Sequence, residues 1–164
     1  MAAEEISVSK TINAPIENVW ALISDLESMG KRSPQCKVMK VVGGAPRKGS
    51  WTINLNRKGL LWWPTWSVVT AWDSLKTLEF KIPLNSSRWR FELTCDEPNS
   101  IGGHPKTTVT HKRLVDGNTT AVSRALVSVA LGGEKSFETD LRAGMEQTLE
   151  SLAKEAESTE KINP

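Results

Sequence analysis

From Phe137 onward, the apolar residues Phe137, Leu141, Met145, Leu149, Leu152 and Ala156 recur at steps of three and four. Glu138, Asp140, Arg142, Glu146, Glu150 and Lys154 lie mostly away from that line. Side chains so spaced share one face of an α-helix, and the spacing predicts an amphipathic helix of about five to six turns. A single apolar stripe cannot bury itself. The rest of the chain must therefore supply a surface that covers this helix.

Upstream the period changes from helical to alternating. Ile6, Val8 and Ile12 mark a first strand. Pro15 and Glu17 suit the first turn of a short helix whose apolar face is Ile16, Val19, Trp20 and Ile23. A second turn over residues 26–29 stops at Gly30 and Ser33–Pro34. Six strand-like runs follow, at 38–42, 50–57, 62–72, 77–82, 88–94 and 107–114, separated by short segments rich in Gly, Pro, Asn and Asp. The class is α+β, with a mainly antiparallel sheet of about seven strands. Wrapping that sheet around the C-terminal helix covers the stripe, and a sheet curved so far leaves an apolar-lined space beneath the helix. Residues 120–131, before Gly132–Gly133, fit a short helix, a further strand or an ordered loop.

The 164 residues suit a single domain spanning 1–164, with an ordered core over 5–157 and a tail at 158–164. The two cysteines, Cys36 and Cys95, are too few for a disulfide scaffold. No apolar run approaches the ~20 residues of a membrane span, and the opening MAAEEISVSK carries acids where a signal peptide carries bases, so a cytoplasmic protein without stable membrane insertion is expected. Eight bases and no acid lie between Glu27 and Asp73, whereas residues 134–161 hold eight acids against four bases. The preferred reading is a solvated basic surface offsetting an acidic helix. Nucleic-acid binding is not expected, because no recognition module accompanies the basic segment. No phosphate loop, zinc motif or nucleophile elbow occurs, so no cofactor and no metal are implied. Self-association carries no sequence signal.

INAPIENVWALISDLESMG, MGKRSPQC with VVGG after it, NRKG, RWRFEL, TTVT and LGGEKSFETDLRAGMEQTLESLAKEAE follow one another in this chain. In that order they resemble the START-like polyketide cyclase/dehydrase and lipid-transport superfamily, in a bacterial branch associated with actinobacteria. The resemblance runs from about Ile6 to Glu157 and implies a helix-grip fold. It implies less about activity, because the superfamily spans aromatase/cyclases, lipid and hormone carriers and members without an assigned role. Where that branch commonly has Trp before Ser-Pro, this chain has Arg32. If the position lines the pocket mouth, the mouth becomes cationic. The loop from Asp96 to Lys106 is also longer than the branch's usual one.

Seven tryptophans and no tyrosine are present. Taken singly, each Trp reads as core packing; as a group they offer faces on which a flat ligand can stack. Trp63, Thr65, Ser67 and Val69 share one face of their strand and are assigned inward; Trp66, Val68, Thr70 and Trp72 share the other. Trp89, Phe91 and Leu93 are expected to face the helix, with Arg88, Arg90 and Glu92 outward. His111 is in phase with Val109 and Arg113, whereas His104 lies in a loop. The expected ligand contacts are Trp63, Thr65, Ser67, Trp89, Phe91, Val109, His111, Phe137, Leu141, Met145 and Leu149, with Arg32 at the mouth. The weak catalytic candidates are His111, Arg57 and Ser67, although a structural role for His111 and a surface role for Arg57 are preferred. Three functions follow, in order of preference. The first is a carrier of a hydrophobic, aromatic or lipid-like small molecule. The second is an aromatase/cyclase acting on a poly-β-keto chain, and the third an interaction module using the basic segment from Lys31 to Lys58.

Overall fold

The computed structural model describes residues 5–96, 103–115 and 134–160. The expectations for 120–131, for the middle of the loop between Asp96 and Lys106, and for the last four residues lie outside them. Seven strands form one sheet: β1 (Glu5–Ile12), β2 (Cys36–Val42), β3 (Trp51–Lys58), β4 (Leu61–Asp73), β5 (Thr77–Ile82), β6 (Ser87–Asp96) and β7 (Lys106–Val115). Their spatial order is β1-β7-β6-β5-β4-β3-β2, with every neighbour antiparallel. Helix α1 (Ile16–Ser24), a 3-10 turn (Leu26–Ser28) and helix α2 (Met29–Arg32) lie between β1 and β2, and helix α3 (Glu134–Glu160) follows β7 in the described chain. The sheet curves around α3. Among the described residues, no helix is long and apolar enough to cross a membrane.

The predicted stripe is the buried face of α3: Leu141, Met145, Leu149, Leu152 and Ala156 are buried, joined by Ala153, while Phe137 is half-buried. At 27 residues the helix has about 7.5 turns, more than the stripe predicts. The added residues extend it at both ends beyond the apolar face. Val19 and Ile23 of α1 and Leu26 of the 3-10 turn join this core, α1 packing against α3, β6 and β7 and the turn against β2. Gly30 lets α2 sit directly on β2, because a Cβ there would stand 2.2 Å from the Lys37 carbonyl oxygen.

One face assignment changes in the folded chain. Strand β4 carries a bulge between Val69 and Ala71, so Trp72 pairs with the fully buried Leu78 and meets Trp20 edge-on at 5.7 Å. The extra residue flips the side-chain phase, which moves Trp72 from the expected outer face to the core. On β3, Thr52 and Asn54 face inward, while Trp51 and Ile53 face solvent. Their neighbours Trp62, Trp66 and Val42 are exposed as well, so the outer face of β2–β4 carries an apolar patch.

Arg32 is not at a pocket mouth. It is 4% exposed, its Nε and Nη2 donate to the Glu155 carboxylate at 2.8 and 3.2 Å, and its Nη1 donates to the Leu22 carbonyl at 2.8 Å. The guanidinium therefore clamps α1, α2 and α3 together. Its helical position turns it away from the Ser33–Lys37 segment, which does border the cavity.

Candidate functional site

The first half of α3 stands off from the sheet, and a cavity of about 560 Å³ lies between them. This volume lies within the usual range for small-molecule sites. Phe137, Leu141, Gly144, Met145 and Thr148 form its helical wall. Strands β3 to β7 form the opposite wall, and Met29 with Ser33 to Cys36 closes one side. At the rim, Lys58 Nζ meets Asp140 Oδ2 at 2.6 Å, so an ion pair joins the end of β3 to α3.

The two halves of the sheet wall differ in chemistry. On β3 and β4 the polar side chains satisfy one another. Thr52 Oγ1 donates to Asn54 Oδ1 at 2.9 Å, Asn56 Nδ2 donates to Thr65 Oγ1 at 3.0 Å, and Asn54 Nδ2 reaches Ser67 Oγ at 3.3 Å. On β6 and β7, Phe91 and His111 stack at 4.0 Å with an 11° tilt, and Trp89 lies 5.7 Å from the imidazole. Here Trp89 Nε1, both His111 nitrogens and Arg113 Nε are buried without a hydrogen-bond partner among the described residues. A buried polar atom left so is costly, which makes this group unusual.

Of the expected contacts, Trp63, Thr65, Trp89, Phe91, His111, Phe137, Leu141 and Met145 lie together on the cavity wall. Ser67, Val109 and Leu149 do not. They are fully buried instead, Ser67 within the hydrogen-bonded group of β3 and β4 and Val109 and Leu149 in the packed core. Arg57 reaches only the rim. Its guanidinium sits 5.1 Å from the centre of the Trp62 ring, and its Nε donates to the Gly59 carbonyl at 2.7 Å. His104 is exposed. Of the tryptophans, Trp63 and Trp89 line the cavity, Trp20 and Trp72 pack at the core, and Trp51, Trp62 and Trp66 are exposed. Asn54, Asn56 and Arg113 are wall residues that the sequence reading passes over. The signal for the asparagines is the two-residue turn Gly59–Leu60, which pairs Asn54 with Thr65 and Asn56 with Trp63. The signal for Arg113 is its phase with His111.

Burial pushes the His111 imidazole down to about 3, so the ring is neutral at physiological pH. Its conjugate acid lies far below the pH at which a general base is most effective. Burial pushes the Cys36 thiol up to about 11, which keeps it protonated and a poor nucleophile. Among the described residues, no group of three or more His, Cys, Asp and Glu converges to hold a metal ion. The His111 shift also predicts a pH effect. Below about pH 6.5 the unfolded chain takes up a proton that the folded chain refuses, so stability falls with decreasing pH down to about 3. Between pH 7 and 5.5 this group alone is expected to remove about 1 kcal/mol. His111→Phe, which keeps the ring on Phe91, is expected to lack that loss in urea unfolding curves. The same slope in both proteins would contradict the assignment.

The family model described as polyketide cyclase / dehydrase and lipid transport matches residues 3–157. Among curated proteins, none matches the chain in sequence. Of the solved structures, the di-domain ARO/CYC StfQ from the steffimycin biosynthetic pathway superposes with a TM-score of 0.69 at 9% identity, over 98% of this chain and 52% of that one. The chain thus spans about half the length of StfQ. The KanY protein (ms6282) superposes with a TM-score of 0.66 at 18% identity, over 96% of this chain and 99% of its own. The Polyketide_cyc-like protein Cgl2372 from Corynebacterium glutamicum gives 0.59 at 19%, over 97% and 94%. At such identities the likeness is one of fold.

Proposed function

The chain belongs to the polyketide cyclase / dehydrase and lipid transport family, and from that premise we propose that it binds and carries a hydrophobic, aromatic-ring-bearing small molecule. The observation that carries this reading is the cavity of about 560 Å³ beneath α3, walled by Trp63, Trp89, Phe91 and Phe137. Ring faces and apolar side chains there favour a flat, largely apolar guest, and burying that guest supplies the binding energy. The test is native mass spectrometry of freshly purified protein, together with uptake of 2-naphthamide followed by calorimetry. Binding is expected for the wild type and is expected to be lost in Leu141→Trp, which fills the helical wall. Absence of both a copurifying molecule and probe uptake would remove this reading.

A second reading, a cyclase-like enzyme, is favoured by the nitrogens of His111, which lie inside the cavity without a partner among the described residues. In it the pocket folds a poly-β-keto chain and polar side chains assist aldol closure and dehydration by positioning and proton transfer. The low basicity of the buried imidazole ranks it behind the carrier. Turnover of a poly-β-keto thioester that depends on His111 would reverse that order.

A further inference from the structure

At one end of the cavity, polar groups find no partner among the described residues. Across β6 and β7, Trp89 pairs directly with Arg113 and Phe91 with His111, so the four side chains form one patch of the concave wall. Arg113 is 4% exposed and lines the cavity, and its Nε lacks a hydrogen-bond partner among the described residues. Beside it, Trp89 Nε1 is a second buried donor without a partner among the described residues. The neutral His111 ring supplies one more donor and one acceptor. From the helix, Glu138 contributes an attractive charge to Arg113, but burial outweighs it and holds the guanidinium below its ordinary basicity. The wall on β3 and β4, by contrast, has closed its hydrogen bonds internally.

A buried cation is tolerated only when something pairs with it. A guanidinium presents a planar fork that fits a carboxylate, and an indole N–H beside it adds a third donor. The stacked Phe91 and His111 rings place a flat apolar surface next to that fork. Resting on the carrier reading, we propose that Arg113 and Trp89 form an anion subsite, so that the ligand class is an aromatic or polycyclic small molecule bearing a carboxylate. The carboxylate lies on Arg113 and Trp89 Nε1, and the ring system lies along Phe91 and His111 toward Phe137.

The test uses 2-naphthoate and its neutral isostere 2-naphthamide as calorimetric probes. Wild type is expected to bind the acid at least about 10-fold more tightly than the amide, the scale of hydrogen bonds to a charged group. Arg113→Met is expected to abolish that preference by lowering acid affinity far more than amide affinity, and Arg113→Lys to restore part of it. Trp89→Phe keeps the ring and removes the donor, so it is expected to narrow the acid preference by a few-fold, which provides a second route should Arg113→Met fold poorly. Equal affinity for the two probes in wild type, or a preference that survives Arg113→Met, would overturn the anion subsite and leave the carrier reading standing. Failure of both probes to bind would overturn the two together.

Discussion

Leu149→Ala is expected to lower the unfolding free energy by about 3 kcal/mol, whereas Leu141→Ala, two turns earlier on the same stripe, is expected to cost about half as much. Both leucines are buried on α3, at 1% and 4% exposure. Leu149 sits where the helix converges on the sheet, so its removal leaves a new void among packed neighbours. Leu141 already borders the cavity and loses contacts on one side only. Ligand binding is expected to follow the opposite order, with Leu141 variants changing probe affinity and Leu149→Ala leaving it nearly unchanged. Chemical denaturation and calorimetry on the two variants check both halves. Equal stability losses would contradict a helix that is packed at one end and stands off at the other.

Glu155→Ala carries the second large expected effect, a loss of about 2–3 kcal/mol. The carboxylate is half-exposed, but its partner Arg32 is almost fully buried, and deleting the acid strands that cation beside the Leu22 carbonyl. Removing one partner of a buried pair is more damaging than replacing both with apolar groups. Arg32→Met combined with Glu155→Met is therefore expected to recover most of the loss. Because Arg32 lies outside the cavity wall, probe affinity is expected to remain unchanged in the double variant. Thermal and urea unfolding of the single and double variants test the stability claim. A double variant no more stable than Glu155→Ala would show that the clamp acts through something other than charge pairing.

Much of the candidate site could be read from alternation along single strands. Trp89, Phe91 and His111 lie on strands whose inward phase is plain in the chain, and all three line the cavity. Alternation alone falls short where one strand's phase depends on another. Thr52 and Asn54 alternate with Trp51 and Ile53, and the pairing of Thr52 with Ser67 and Asn54 with Thr65 puts the polar pair inward. A bulge at Thr70 reverses Trp72, since one extra residue exchanges the two faces of a strand.

The sequence by itself determined the order of elements, the buried stripe of α3 and the curved sheet that must cover it, because helical and strand periodicities are local properties of the chain. Tertiary structure decided that α3 leaves about 560 Å³ open at one end, that Arg32 clamps three helices rather than guarding an entrance, and that Arg113 stands among donors without a partner among the described residues. Periodicity indicates which face a side chain joins. Whether that face meets a neighbour, a charge or open space depends on where distant segments come to rest.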